Sequence, residues 1–401
     1  MIIGKIIHDM RNTIQENSKD KKAQILFDLR VTQPMRGDKR HGGGKYGEVI
    51  LCRILERELP VACCFDSSVW LNPEIKNLLE KNGIPLFDLS KRSAAQIVED
   101  ENISLFFEPS NVDYKRLCDI KCHIVGTLHG LRTLETPVEW NAFLYKLPIK
   151  EFFKHLFKRV FTNFYHQTIR NRLKPLLESS NIRLVTVSRH SASSFKVFFP
   201  QSQTDIPVFY SASTSVINTS LQKYCEKYFL LVSANRTYKN NLRAIIALDK
   251  LFSMGYMRDF RVKVTGIVTS KAFWYKIKNR EKFDFLGFVD EKELDQLYHD
   301  AYCFIYPTLN EGFGYPPLEA MHYGVPVLSS PLSSIPEVCG GNVIYFNPFS
   351  VEEMMNRILM ILDDKVHKKY SRLSRERYEV ITQKQNKDLD GLIDYIYSFI
   401  Q

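Results

Sequence analysis

Apolar residues recur along this chain in two series of short runs. ILFDLRV, PVACCFD, ISLFFE, HIVGTLH, RLVTVS and IPVFYS punctuate residues 25 to about 210, with helical spacings between them. Runs of this length, bounded by turn formers, read as strands buried on both faces. A second series runs FLLVSA, FRVKVTG, FDFLGFV, CFIYPTL, VPVLSS and NVIYF, from residue 229 to 346. Strand and helix alternating twice predict two parallel sheets, each covered by helices. SASTSVINTS, residues 211–220, has the small hydroxylated residues of a linker between them.

Two helical segments lie outside this alternation. Ile3, Ile6, Ile7, Met10 and Ile14 predict an amphipathic helix over residues 2–16, docked on the body. A final helical region, from about residue 366 to 400, has its strongest apolar pattern in LIDYIYSFI and is expected to cross back to the first domain. The resulting division is a first domain over 1–212, a second over 213–380 and a returning helix over 381–401.

At 401 residues the chain suits two domains, and 44% hydrophobic with 25% charged residues suits a globular protein. No run approaches eighteen apolar residues, and Lys5, His8, Asp9 and Arg11 interrupt the N-terminus too early for a signal-peptide core. A cytoplasmic protein is expected. The eight cysteines lack a disulfide or zinc pattern: Cys63 and Cys64 are adjacent, and Cys118 and Cys122 have no second pair, so buried free thiols are expected. A net charge of +10 points to anionic partners, among them phosphates, phospholipids and nucleotide sugars.

HGGGKYG, residues 41–47, contains the glycine spacing of a dinucleotide fingerprint, and Asp66 lies nineteen residues past Gly47, where such enzymes place a ribose-binding acid. The first strand ends near Val31, however, and TQPMRGDKRH intervenes where the fingerprint needs its glycine at the strand's end. A glycine loop over some other phosphate, or one with no ligand, remains open.

NEGFGYPPLEAMHYGVPV, residues 310–327, is more informative. The strand CFIYPTL runs into a glycine loop, then Pro316 and Pro317 start a helix that stops at Gly324. Exposed amides at a helix N-terminus bind phosphate, and Gly312 and Gly314 let the backbone approach a ligand. Glu311 and Glu319 bracket that terminus. Each has a plain reading, as a solvated loop acid and as a helix-start glutamate favoured by the dipole. Both make sense together if the guest also offers hydroxyl pairs from a ribose and a sugar.

The stretch resembles the paired-glutamate signature, two glutamates separated by seven residues, of glycosyltransferase family 4 on the two-domain GT-B fold. LVSANRTYKNNLRAIIAL is similar to that family's strand, basic loop and helix, and FLGFVDEKELDQLY to the segment before the signature. GTLHGLRTLETP, VTVSRHSASSFKVFFP and HGGGKYGEV resemble first-domain segments. The resemblance implies an α/β architecture, two Rossmann-like parallel-sheet domains facing a central cleft. It implies catalytic roles for His129, Arg236, Lys239 and Glu311, and donor contacts from Gly43, Gly44, Gly287, Val289, Gly312, Phe313, Gly314 and Glu319. His129 is followed by Gly130 where many relatives have aspartate, and Arg236 and Lys239 are closer together than in some relatives.

The activity implied is retaining transfer of a sugar from a nucleotide-diphosphate sugar, such as a UDP- or GDP-sugar, to a hydroxyl of a glycan or lipid-linked glycan, in surface polysaccharide, lipopolysaccharide or glycoconjugate synthesis. No metal or other cofactor is expected, since Arg236, Lys239 and backbone amides can meet the leaving charge. Asp388 and Asp390, the one aspartate pair with metal-ligand spacing, are expected on a solvated helix face. Residues 145–180 have eight Lys or Arg against two Glu, interleaved with Phe152, Phe153, Phe157, Phe161 and Phe164. That pattern fits either an anionic membrane interface or a helix pair burying its phenylalanines in the first domain. No nucleic-acid motif occurs. Sugar epimerases and phosphorylases share the GT-B architecture and are the nearest alternatives; a nicotinamide-dependent oxidoreductase explains only the first glycines and Asp66.

Overall fold

The computed structural model describes residues 23–34, 42–110, 112–136, 138–140, 149–202, 205–212, 226–267 and 277–400. The expected helix over 2–16 and residues 213–220 of the expected linker lie outside them. The described residues form two compact units, one from within 1–130, 170–216 and 382–401, the other from within 131–169 and 217–381. Residues 131–169, assigned by the linear division to the first domain, group with the second unit because their side chains bind there. Arg243 Nη2 donates to Glu139 at 3.1 Å, and Asn310 donates to Glu135.

The first unit has six parallel strands: β1 (Ile25–Asp28), β2 (Ala62–Phe65), β3 (Leu86–Asp88), β4 (Leu105–Glu108), β5 (His123–Leu128) and β6 (Ile182–Thr186), in the order β3-β2-β1-β4-β5-β6. Phe27 pairs with Cys63 on one side and Phe107 on the other, and all four β1 residues are buried. β3 was not among the expected strands, because its three residues are only half-buried and their apolar signal is weak. IPVFYS forms no strand; its Val208 makes a single parallel bridge to Thr186.

The second unit has β7 (Tyr228–Leu231), β8 (Arg261–Thr265), β9 (Phe283–Gly287), β10 (Cys303–Tyr306), β11 (Val327–Ser329) and β12 (Ile344–Tyr345), also parallel, in the order β12-β11-β10-β7-β8-β9. Each corresponds to one run of the second series. Phe229, Leu231, Val262, Val264 and Ile305 form the core with the helices Asn241–Ser253 and Val351–Ile361. Each such side chain contributes roughly 1.5–3 kcal/mol on burial.

Helix α1 (Gly42–Glu56) begins inside the glycine run, so GGGKYG, residues 42–47, supplies the first turns of a helix and not the expected loop. The glycines serve packing. A Cβ on Gly44 would lie 3.2 Å from the Val31 carbonyl oxygen, and one on Gly47 would lie 3.0 Å from a Val31 methyl. Two more helices, α2 (Ile149–Val160) and α3 (Thr162–Glu178), are separated only by Phe161. α4 (Tyr315–His322) follows the signature glycines, and α5 (Asp364–Tyr397) ends in the first unit.

There α5 binds through several polar contacts. Asp388 accepts from the Tyr210 amide at 2.9 Å, Gln385 donates to the Ser211 carbonyl at 2.6 Å, and Arg57 pairs with Asp394 at 2.6 Å. Asp388 is therefore not on a solvated face: Lys384 also holds its carboxylate, while Asp390 lies 3.6 Å from Arg53. All seven described cysteines are free; five are buried, but Cys118 is exposed and Cys122 half-buried, a departure from the expected burial.

Candidate functional site

The strand order reverses between β7 and β10, which are hydrogen-bonded neighbours although β8 and β9 lie between them in sequence. Open α/β sheets bind ligands at the carboxyl ends of the strands at such a reversal. The loop after β7 carries Arg236 and Lys239, and the loop after β10 carries Glu311. Topology thus joins two segments 72 positions apart.

Lys239 ends a 3-10 turn, Thr237–Lys239, and Asn240 follows in the left-handed region at φ 58°. Strain of that kind costs about 1–3 kcal/mol and persists where the surroundings hold it. Here the Asn240 amide donates to the carbonyls of Pro307 at 3.1 Å and Pro348 at 2.8 Å. The turn sends Lys239 inward, leaving the residue 4% exposed. Its Nζ donates to Tyr306 Oη at 2.5 Å and to Glu311 Oε1 at 2.8 Å.

Thr308 Oγ1 also donates to Glu311 Oε1 at 2.8 Å, and Arg132 approaches Oε2 at 3.9 Å. Burial pushes the Glu311 carboxyl up, but the charges of Lys239 and Arg132 and the hydrogen bonds from Lys239 and Thr308 outweigh it, so the group sits below its ordinary value. Glu311 is an ionised, buried acid and not the solvated loop acid of the plain reading. Its backbone is fixed too: its amide donates to Ser333 Oγ at 2.8 Å, while Ser334 Oγ donates to the carbonyls of Glu311 and Phe313 at 3.0 and 2.6 Å.

Arg236 is exposed and donates to Tyr238 Oη at 3.2 Å; the other face of the arrangement is Arg132, whose guanidinium lies 4.0 Å over the Tyr238 ring. Gly312 is half-exposed and Phe313 is buried against Tyr315. Gly314 caps α4 at φ 117°, where a Cβ would also meet Ile335 at 2.9 Å, so glycine is required on two counts. Glu319, half-buried on α4, accepts from the buried Tyr298 hydroxyl; burial first, then this carboxylate, hold that hydroxyl well above its ordinary value. Gly287 closes β9 at φ 71°, its carbonyl accepting from the Gly266 amide at 2.6 Å, and Val289 is half-exposed beyond it.

His129, Gly43 and Gly44 belong to the first unit. His129 follows β5, edge-on to Tyr46 at 4.9 Å, its Nε2 3.3 Å from the Pro109 carbonyl oxygen. Asp66 is used by a turn, Oδ1 accepting from the Ser68 amide at 2.9 Å and the Ser68 hydroxyl at 2.5 Å. Sequence reasoning passed over Arg132, Tyr238, Tyr306 and Thr308. All four lie within the strand and loop runs recognised in the sequence, but nothing in the linear order signals that Arg132 meets a glutamate 179 positions away.

Two six-stranded parallel sheets, the second with this site at its strand reversal, define the GT-B architecture. Residues 214–380 match the family model Glycosyl transferases group 1. The chain is 32% identical to O-antigen chain mannosyltransferase B of Escherichia coli over 152 residues, 36% of this chain and 40% of that relative, and so spans well under two thirds of its length. A glycosyltransferase structure from Rickettsia africae matches with a TM-score of 0.63 at 16% identity, covering 95% of this chain and 99% of that one. HepE from Anabaena, solved with UDP and glucose, matches with a TM-score of 0.60 at 15% identity, covering 93% and 99%. The two solved structures share the fold of the whole chain, and the group 1 match covers its second sheet.

Proposed function

We propose that this protein is a retaining, metal-independent glycosyltransferase that moves a hexose from a nucleotide-diphosphate sugar to a hydroxyl of a glycan or lipid-linked glycan. The observation that carries this reading is the buried Lys239–Glu311 pair at the β7/β10 reversal, with exposed Arg236 on one of its two loops and the Gly312–Gly314 turn on the other. Support also comes from the group 1 match over the same unit and from the O-antigen mannosyltransferase likeness, which suggests mannose as a first donor sugar and lipopolysaccharide or other surface polysaccharide as the product class.

The chemistry asks for a departing nucleoside diphosphate to be stabilised while positive charge develops at the anomeric carbon. Arg236 and Lys239 supply fixed positive potential, with the Tyr315 and Leu318 amides of the first turn of α4, where Pro316 and Pro317 have no N–H, and each charged hydrogen bond contributes about 1.5–3 kcal/mol. Two such contacts, strengthened in the transition state, give roughly 10²–10⁴-fold in rate. Glu311 has one oxygen taken by Lys239 and Thr308 and the other facing Arg132, an arrangement that suits holding a sugar hydroxyl and not covalent attack. The acceptor then attacks on the face from which the diphosphate leaves, and the diphosphate accepts its proton. A trapped glycosyl-enzyme adduct would sink this step. Thermal shifts with UDP, GDP, ADP, CMP and NAD, then with the matching sugar nucleotides, test the donor class. One nucleoside diphosphate and its sugar should stabilise the protein; stabilisation by NAD alone reverses the reading.

The reading extends to an anionic membrane surface. The phenylalanines of α2 and α3 are not buried as the packing alternative requires: Phe153 is 61% exposed and Phe164 66%, with Phe157, Val160 and Phe161 also exposed. Exposed Lys150, Lys154 and Arg159 accompany them, and each cation near a charged surface contributes about 1 kcal/mol. No described helix is long and apolar enough to cross a membrane. A peripheral protein at the cytoplasmic face fits these features. Phe153→Ser with Phe157→Ser and Phe161→Ser should lower co-sedimentation with phosphatidylglycerol vesicles at least tenfold. Equal binding of the native protein to neutral vesicles would count against the surface.

A further inference from the structure

The second unit contains a cavity of about 160 Å³ that no step of the transfer chemistry uses. Its wall includes Arg132, Thr136, His155, Lys158, His166 and Tyr238. Three of these, His155 and Lys158 on α2 and His166 near the start of α3, line it together, and His155 and Lys158, three residues apart, share one face of α2; Phe153 and Phe157 lie towards the other. The α2–α3 pair thus turns Phe153 and Phe157 outward and Lys158, His155 and His166 to the cavity.

The charge balance of the wall favours an anion. Its one carboxylate, Glu139, is held by Arg243 at 3.1 Å, while two cations, Arg132 and Lys158, line the space; Lys158 lies 4.6 Å over the Tyr165 ring and Arg132 3.9 Å from Glu311. Two polar atoms on lining residues, Arg132 Nε and Thr136 Oγ1, are buried without a hydrogen-bond partner. A buried donor left unmade costs about 1–3 kcal/mol, and an oxyanion would satisfy both. The volume is below the roughly 300–1,000 Å³ of pockets that enclose a whole ligand, so the cavity suits one group of a larger molecule.

We propose that this cavity is a second anion site, taking a phosphate or diphosphate group of the acceptor. It is separate from the donor site: Arg236 and Lys239 do not line it. The two sites share a border at Tyr238 and Arg132, which places an acceptor phosphate next to the loop proposed to hold the donor diphosphate. The anion site stands on the wall itself; its assignment to the acceptor rests on the transferase reading.

The test is calorimetric titration of the full-length protein with inorganic diphosphate and, separately, with geranyl diphosphate, each with and without saturating UDP or GDP. Lys158→Ala and His166→Ala, both on half-buried helix positions that tolerate alanine, should weaken diphosphate binding at least tenfold and leave nucleotide affinity and melting temperature unchanged. Diphosphate should still bind when the nucleotide is saturating. Tighter binding of geranyl diphosphate identifies a lipid-linked source, and equal or tighter binding of inorganic diphosphate a soluble one; both support the site. Unchanged diphosphate affinity in both variants, or full displacement by nucleotide, overturns it. Failure of every nucleotide to bind, with diphosphate binding intact and Lys158-dependent, would defeat the donor reading and leave the anion site standing.

Discussion

Lys239→Ala is expected to abolish sugar transfer and also to destabilise the protein by about 3–5 kcal/mol, the range for removing one partner of a buried ion pair. The activity loss follows from the proposed role of Lys239 at the donor diphosphate. The stability loss follows from what the substitution leaves behind: Glu311, buried, with Thr308 as its remaining hydrogen-bond donor to the carboxylate and Arg132 at 3.9 Å.

The pH dependence carries a sign that distinguishes the two states. In the native protein the Glu311 carboxyl lies below its ordinary value of 4.5, so its contribution to stability is fully present above that pH and is lost as pH falls through the depressed value. Without Lys239 the burial that opposes ionisation prevails, so the folded variant holds its proton to higher pH and gains relative stability in acid. Urea denaturation between about pH 4 and pH 8 checks this. A constant stability difference across that range would show that Glu311 does not depend on Lys239. The double variant Lys239→Met, Glu311→Gln removes both charges and should regain most of the stability while remaining inactive, so loss of fold and loss of chemistry are read separately.

Glu319→Ala is the cleaner of the two site variants. The side chain is half-buried on α4 and its removal leaves only the Tyr298 hydroxyl to find a new partner, a stability cost of about 1–3 kcal/mol. If Glu319 accepts from two donor hydroxyls at about 1.5–3 kcal/mol each, its loss should lower kcat/KM roughly 10²–10⁴-fold. Near-normal turnover would remove Glu319 from the donor site. Glu319→Gln, which keeps the shape and an acceptor, should fall between the variant and the native protein.

β7, β10 and β11 were legible because each is a continuous apolar run that is buried throughout, while β8 and β9, which carry charged residues and are half-buried at several positions, were legible from their remaining apolar positions. Two first-unit segments misled for opposite reasons. Leu86–Asp88 is half-buried and carries little apolar signal, while IPVFYS has the composition of a strand but pairs only at Val208. The opening glycines misled because glycine has several uses. Flexibility and close phosphate approach were the expected ones, whereas Gly44 and Gly47 are small so that α1 can lie against Val31.

By itself the sequence determined the fold class, the two sheets and the chemistry-bearing stretches after β7 and β10, because these depend on local apolar runs, proline and glycine placement, and short spacings. Only the tertiary structure decided that Lys239 is buried against Glu311, that Arg132 joins them, that residues 131–169 group with the second unit, and that the phenylalanines of that segment face outward. Those outcomes depend on which strands become neighbours and which charges lose their water. Strand order and burial are properties of the packed chain, and no spacing of residues along it encodes them directly.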